Sequence, residues 1–324
     1  MRMKVLISQK IFDEVVSLAE KHFDVDYHSS DIPLQPHALI QRLKNKMGAI
    51  TLLTDRIDDA VLSQCPELRI VSNVAVGYNN IDVNACTRRK VMVTNTPGVL
   101  DDTTADLTWA LLLSTARRVV EADQFLRSDQ WKGWKLMEFL GHDVHHKGLG
   151  ICGLGRIGQR VARRAKGFEM KILYTDVVRA APSIEESLGA QFVDKKDLLS
   201  ESDFVSLHVP LFPETTHYIS DAELALMKPT AILINASRGP VVDEKALVRA
   251  LQEKKIAGAG LDVYEREPEV EPELLQMKNV VLVPHIASAS RETRLRMATM
   301  AAENLMAGLT GKRPPNLVNE GVLQ

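Results

Sequence analysis

Residues 149–158, Leu-Gly-Ile-Cys-Gly-Leu-Gly-Arg-Ile-Gly, constrain this chain more than any other stretch. A short apolar run meets a glycine turn, and Ile157, Val161, Ala162 and Ala165 then recur on one face of a helix. Each glycine of the G-x-G-x-x-G spacing has its own reason. Gly153 makes the tight turn, Gly155 lets a pyrophosphate approach the backbone, and Gly158 packs helix against strand. The first-turn N–H groups and the helix dipole then face the anion. The same template fits five residues earlier, over 148–153, and context separates the two. Only the later copy has a strand before it and an unbroken helix after it. A second strand, Lys171–Thr175, follows and ends on Asp176, eighteen positions past Gly158. A dinucleotide site needs a carboxylate there to accept from the adenosine ribose hydroxyls.

A length of 324 residues suggests two domains, and 45% hydrophobic residues suffice for two cores. The net charge of −2 gives no electrostatic reason to expect nucleic acid or an anionic membrane as partner. No apolar run reaches the length of a membrane span, and residues 1–4 lead straight into a strand, so a cytoplasmic protein is expected. Cys65, Cys86 and Cys152 are scattered without paired metal spacing and read as reduced thiols. His142, His145 and His146 lack a carboxylate or cysteine pattern to complete a site, so no metal is expected.

Ahead of the glycine turn, strands are expected at 4–8, 49–53, 68–72 and 91–94, with helices at 12–19, 36–46 and 58–65. This alternation indicates a parallel sheet that has no phosphate-binding glycine turn of its own. Val76 and Gly77 sit in a turn at the carboxyl end of a strand, where open α/β sheets take their ligands. Asn95-Thr96-Pro97-Gly98 breaks the pattern and marks a domain boundary. Residues 101–104 read as the N-cap of a buried helix over 105–113. Helical character continues over 119–126, and a loop follows that carries Trp131 and Trp134, suited to docking on a partner or lid. Further strands are expected at 204–209, 231–235, 258–261 and 280–283, helices at 221–227 and 243–253, and a long helix at 291–309.

Three of these late strands are followed by ionisable groups: Arg238, Glu267 and His285. In an all-parallel sheet they converge on the edge where a nicotinamide would lie. The trio suits hydride transfer. Arginine can grip a carboxylate bidentately and polarise the adjacent carbonyl. Histidine can exchange the hydroxyl proton near neutral pH, and the glutamate can orient it.

On these residues the chain resembles the D-2-hydroxyacid dehydrogenase family, closest to its glyoxylate/hydroxypyruvate reductase branch, which includes 2-ketogluconate reductase-like members. The resemblance runs over residues 5–318 and rests on Val76-Gly77, the glycine turn, the Arg238 and Asp262 motifs and Pro284-His285. It implies an α/β fold of two doubly wound parallel-sheet domains. A Rossmann cofactor domain, 100–286, would be inserted into a flavodoxin-like substrate domain, 1–99 and 287–324. It implies reduction of a small 2-oxo acid (glyoxylate, hydroxypyruvate or 2-ketogluconate) to the D-2-hydroxy acid with NAD(P)H. Arg238, Glu267 and His285 would be catalytic, and Leu53, Val76, Gly77, Arg238 and Trp134 would bind substrate. Trp134 would do so from the neighbouring subunit of a homodimer. Thr104, Gly153, Gly155, Arg156, Ile157, Gly158, Asp176, Val209, Pro210, Ala236, Ser237, Arg238, Asp262, His285, Ala287 and Ser288 would line the cofactor.

Two departures stand out. Ala287 stands where the family often has glycine, so by the resemblance a methyl group would face the nicotinamide carboxamide. Asp176 is followed by Val177-Val178 where many reductases of the branch carry an arginine for a 2′-phosphate. NAD(H) is therefore expected over NADP(H), with Arg179 the one nearby cation able to swing in. The alternatives within the fold are phosphoglycerate dehydrogenase-like activity and an NAD-sensing corepressor that binds peptides.

Overall fold

The computed structural model describes residues 2–323, which divide into two compact units, 2–100 with 289–323, and Asp101–Ser288. The first unit is built on strands β1 (Lys4–Ile7), β2 (Asp24–Tyr27), β3 (Gly48–Thr51), β4 (Ile70–Asn73) and β5 (Met92–Thr94). All pair in parallel, in the order β2-β1-β3-β4-β5. Side chains alternate between faces along each strand. Val5, Ile7, Ile50 and Ile70 pack with Ala298, Ala301 and Leu305 of the helix Arg291–Leu309, whereas Leu6, Ala49 and Val71 pack with Leu39, Leu43 and Leu62 on the other face. Both faces are covered by helices, as a parallel sheet requires.

The second unit carries β6 (Gly148–Cys152), β7 (Lys171–Thr175), β8 (Ala190–Phe192), β9 (Phe204–Leu207), β10 (Ile232–Asn235), β11 (Gly258–Leu261) and β12 (Val280–Leu282). Their order is β12-β11-β10-β9-β6-β7-β8, again all parallel. The chain winds outward from β6 to β8, then returns to the other side of β6 at β9. That reversal makes the β6/β9 boundary the switch point, where sheets of this kind take ligands. Leu149, Ile151, Ile172, Tyr174, Phe204, Ile232 and Ile234 fill one layer, while Leu173, Val205, Leu207, Leu233 and Leu261 fill the other.

Two local features differ from expectation. Edge strands β2 and β8 carry little apolar signal: β2 reads Asp-Val-Asp-Tyr with no fully buried residue, and β8 is three residues long. The helix Asp101–Ala116 begins on Asp101, so residues 101–104 form its first turn and not its cap, and Thr104 is buried. Acids are favoured by the dipole in a first turn as well as at a cap, so the composition is similar in both places. The earlier glycine register lies in β6 itself. A Cβ at Gly150 would overlap Ser202 and Leu198, so that glycine admits the helix Lys195–Glu201 against the sheet. Among the described residues no helix is long and apolar enough to cross a membrane.

Candidate active site

The glycine turn leaves β6 at the switch point. Gly153 has φ 93°, a left-handed conformation that side chains resist, and a Cβ there would lie 2.9 Å from the His208 carbonyl at the end of β9. Gly158 sits one helical turn on, where a Cβ would overlap the Gly153 carbonyl oxygen. Gly155 is different: a Cβ on it meets nothing within 4 Å. Its place in the pattern therefore reflects room kept for something else. The N–H groups of Gly155, Arg156, Ile157 and Gly158 have no acceptor among the described residues, which is the normal state of the first donors of a helix. An open glycine, four free donors and a helix N-terminus fit a pyrophosphate.

Asp176 follows β7 and its carboxylate is fixed from both sides. Oδ2 accepts from Leu154 N–H at 2.8 Å and Oδ1 from Val177 N–H at 2.7 Å. Each oxygen keeps acceptor capacity for a hydroxyl. Val177 and Val178 are exposed and offer no charge. Arg179 is not poised toward Asp176: its guanidinium makes two bonds to Glu185, at 2.9 and 3.0 Å, and Glu185 also accepts from Tyr174 Oη at 2.6 Å.

The ends of β10, β11 and β12 carry the three ionisable residues. After β10, Asn235 Oδ1 accepts from the Ser237 N–H and hydroxyl, and Asn235 Nδ2 donates to the Arg238 carbonyl at 3.0 Å, closing a tight turn. Ala236 is buried in it, and Arg238 Nη1 donates to Ser237 C=O at 2.6 Å. Gly239 then presses on the next loop, since a Cβ would overlap the Tyr264 carbonyl. Burial draws Arg238 below its usual pKa, opposed by the charge of Glu267.

Glu267 Oε2 lies 2.9 Å from His285 Nδ1, and Oε1 accepts from Tyr264 N–H at 3.1 Å. Burial opposes the Glu267 charge, yet the His285 hydrogen bond and charge, the Tyr264 N–H and Arg238 outweigh it and lower its pKa. An ionised carboxylate only accepts, so the proton between the pair sits on Nδ1, and Nε2 is left for another partner. His285 has φ 52°. Its N–H bonds Asp262 C=O at 2.9 Å, while the Asp262 carboxylate takes the next two amides, Ile286 at 2.6 Å and Ala287 at 3.0 Å. Burial pushes Asp262 up to about 6, against the pull of those N–H groups and of His285. Ala287 is buried and Ser288 half-buried, one residue further on.

Val209 and Pro210 follow β9 beside the glycine turn, and His208 precedes them. No spacing in the sequence singles out His208. Its Nε2 lies 2.8 Å from Ser206 Oγ, and burial lowers its pKa to about 4, so it lines the turn as a neutral imidazole.

In the first unit, Leu53 is exposed, and Val76 and Gly77 are half-buried beyond β4. The N–H groups of Val76 and Gly77 have no acceptor among the described residues. Trp134 is 79% exposed and Trp131 53%, beside the exposed Leu126, Leu136, Met137 and Leu140. Together with Phe125 and Phe139, the two tryptophans line a cavity of about 300 Å³. No group of His, Cys, Asp and Glu among the described residues is arranged to hold a metal ion.

Sheet order and glycine turn define the class: a two-unit α/β protein with a Rossmann-type dinucleotide site. Residues 109–287 match the family model described as D-isomer specific 2-hydroxyacid dehydrogenase, NAD binding domain. A glyoxylate reductase of Korarchaeum cryptofilum is 53% identical over all of this chain and 98% of its own length, and one from Thermococcus litoralis is 51% identical over the same shares. A solved protein of Thermus thermophilus superposes with a TM-score of 0.91 at 41% identity, covering 98% of this chain and all of its own. An NADPH-dependent glyoxylate/hydroxypyruvate reductase from Sinorhizobium meliloti, solved with NADP and malonate, gives 0.87 at 32% identity, covering 99% and 98%. The chain belongs to the D-isomer specific 2-hydroxyacid dehydrogenase family. It is an oxidoreductase that uses a nicotinamide cofactor on small 2-oxo or 2-hydroxy acids.

Proposed function

We propose that this enzyme reduces glyoxylate, with hydroxypyruvate and 2-ketogluconate as further candidates, and that it prefers NADH. The observation that carries the reading is the Glu267–His285 pair, held in the same unit as the glycine turn with Nε2 free. The bound dihydronicotinamide supplies the hydride. In its imidazolium form His285 gives its Nε2 proton to the oxygen of the 2-oxo group and is left as the Nδ1–H tautomer, while Glu267, accepting from Nδ1–H, holds the ring in orientation for it. Arg238, set in its turn by Asn235, polarises that oxygen and grips the carboxylate. Asp262 fixes the backbone on which His285 sits. In the first unit the substrate carboxylate goes to the free N–H groups of Val76 and Gly77, with Leu53 limiting substrate size. The first unit is thus the substrate domain and the second the cofactor domain.

Gly155, Arg156, Ile157 and Gly158 amides take the pyrophosphate, and Asp176 takes the ribose hydroxyls. Thr104, Val209, Pro210, Ala236, Ser237, Ala287 and Ser288 line the remainder of the cofactor. NADH is favoured because a 2′-phosphate would meet the Asp176 carboxylate while Arg179 is engaged by Glu185. A homodimer is supported by the apolar loop around Trp131 and Trp134, with Trp134 reaching the neighbour's substrate. A cytoplasmic location fits three free, buried cysteines. The test is a steady-state panel of 2-oxo acids with purified protein and NADH. Glyoxylate should give the highest kcat/KM; an absence of NADH oxidation with every acid would sink the reading.

A further inference from the structure

We infer that Asn95 is a positioning residue for the two backbone donors of Val76 and Gly77. This deepens the reading above, since it rests on those donors taking the substrate carboxylate. A peptide group is planar and trans, so its C=O and N–H point in opposite directions. Val76 N–H shares a plane with Ala75 C=O, and Gly77 N–H shares one with Val76 C=O. Ala75 C=O accepts from Thr96 N–H at 2.8 Å, and Val76 C=O accepts from Asn95 Nδ2 at 2.8 Å. Both carbonyls are thus drawn to one two-residue segment beyond β5, and both N–H groups face away from it. The next plane follows suit: Gly77 C=O accepts from Asn73 Nδ2 at 3.1 Å.

The gripping segment is itself anchored. Asn95 N–H donates to Asn316 C=O at 3.3 Å, and Asn95 C=O accepts from Asn304 Nδ2 at 3.3 Å. Asn304 is fully buried on the helix Arg291–Leu309 and exchanges two further bonds with Asn316, at 3.2 and 3.1 Å. Three side-chain amides therefore link the long helix and the C-terminal segment to the turn. If Asn95 loses its amide, Val76 C=O loses its partner, and the plane carrying Gly77 N–H is free to rotate.

The experiment uses protein bound to NAD, with ¹⁵N on valine and glycine, titrated with oxalate as a carboxylate that cannot be reduced. In wild type the Val76 and Gly77 amide signals should move. In Asn95→Ala the same movement should need about ten- to a hundredfold more oxalate, as expected for weakening a charge-assisted hydrogen bond. NAD affinity should be unchanged, and KM for glyoxylate should rise more than kcat falls. Asn95→Asp, a second variant that also serves should Asn95→Ala not fold, can donate to Val76 C=O only when protonated. Its oxalate affinity, corrected for wild type, should recover as pH falls; Val76, Asn304 and Asn316, its partners, do not titrate. A packing defect would show no such recovery. Val76 and Gly77 signals that ignore oxalate in wild type would overturn the carboxylate assignment and this inference with it. A wild-type response that survives intact in Asn95→Ala, or no recovery in Asn95→Asp, would overturn the role of Asn95 alone.

Discussion

Two strand-end turns in this protein leave backbone donors free by different physical routes. Beyond β6, the donors are free because a helix starts there and its first four N–H groups have nothing behind them to bond. Glycine contributes by taking the left-handed turn at Gly153 and by leaving Gly155 bare. Beyond β4 no helix starts at Val76 and Gly77. Their donors point outward because Asn95 and Thr96 hold the carbonyls behind them. The first device is local and depends on what is missing from a few positions. The second is tertiary and depends on what has been brought up from elsewhere in the chain. Free backbone donors can thus be preset by side-chain amides as well as by glycine spacing.

The sharpest separation of chemistry from either cradle is His285→Ala. Loss of the general acid should lower kcat by about 10²–10⁴-fold while NADH binding, followed by fluorescence titration, stays near wild type. A comparable loss of NADH affinity would make His285 part of the cofactor cradle and not the proton donor. Next in size is the nucleotide preference. Two unit charges about 4 Å apart at an effective dielectric near 20 repel by roughly 4 kcal/mol. Solvent at Asp176 reduces this, and about 1.4–2.8 kcal/mol remaining favours NADH by roughly ten- to a hundredfold. The ratio of kcat/KM for the two cofactors should reverse in Asp176→Ser with Val177→Arg. Wild type favouring NADPH would mean that Arg179 leaves Glu185.

The glycine cradle itself divides by a pair of substitutions. Gly158→Ala forces a Cβ onto the Gly153 carbonyl and should cost about 1–3 kcal/mol of stability. Gly155→Ala, at φ −68° and with open space around it, should leave the melting temperature alone and weaken NADH binding several-fold. A lower melting temperature in Gly155→Ala would make that glycine structural. The smallest effect is on acid stability. The Glu267 pKa is lowered in the fold, so its contribution is present above the ordinary carboxylate value of 4.5 and is lost as pH falls through the folded value. Thermal melts from about pH 6 downward should therefore show a steeper acid loss in wild type than in Glu267→Gln. Parallel curves would mean that the Glu267–His285 bond does not contribute to stability.

What was legible follows the same division. The turn at Gly153, Gly155 and Gly158 and the strand that ends before Asp176 were readable because strand–turn–helix–strand geometry acts over a short, fixed spacing. Arg238, Glu267 and His285 were readable as strand ends, because parallel strands put all their carboxyl ends on one edge. The contacts that shape them were not: Asp262 binds amides 24 and 25 residues away, and no local pattern reports such a pair. Arg179 looked free because its tether to Glu185 depends on where the following helix lies. Asn95 read only as a break in the alternation, since neither Val76 nor Asn304 is near it in sequence. Strand β2 was hidden because an edge strand with polar alternation buries too little to leave an apolar run.

The central claim is that this chain moves a hydride from a nicotinamide to the 2-carbon of a small 2-oxo acid and delivers the D product. The most direct measurement is single-turnover reduction of hydroxypyruvate with NADH doubly deuterated at nicotinamide C4, followed by mass and chiral analysis of the glycerate. One deuterium at C2 and the D configuration are predicted. Glycerate without deuterium at C2, or of the L configuration, would contradict the account.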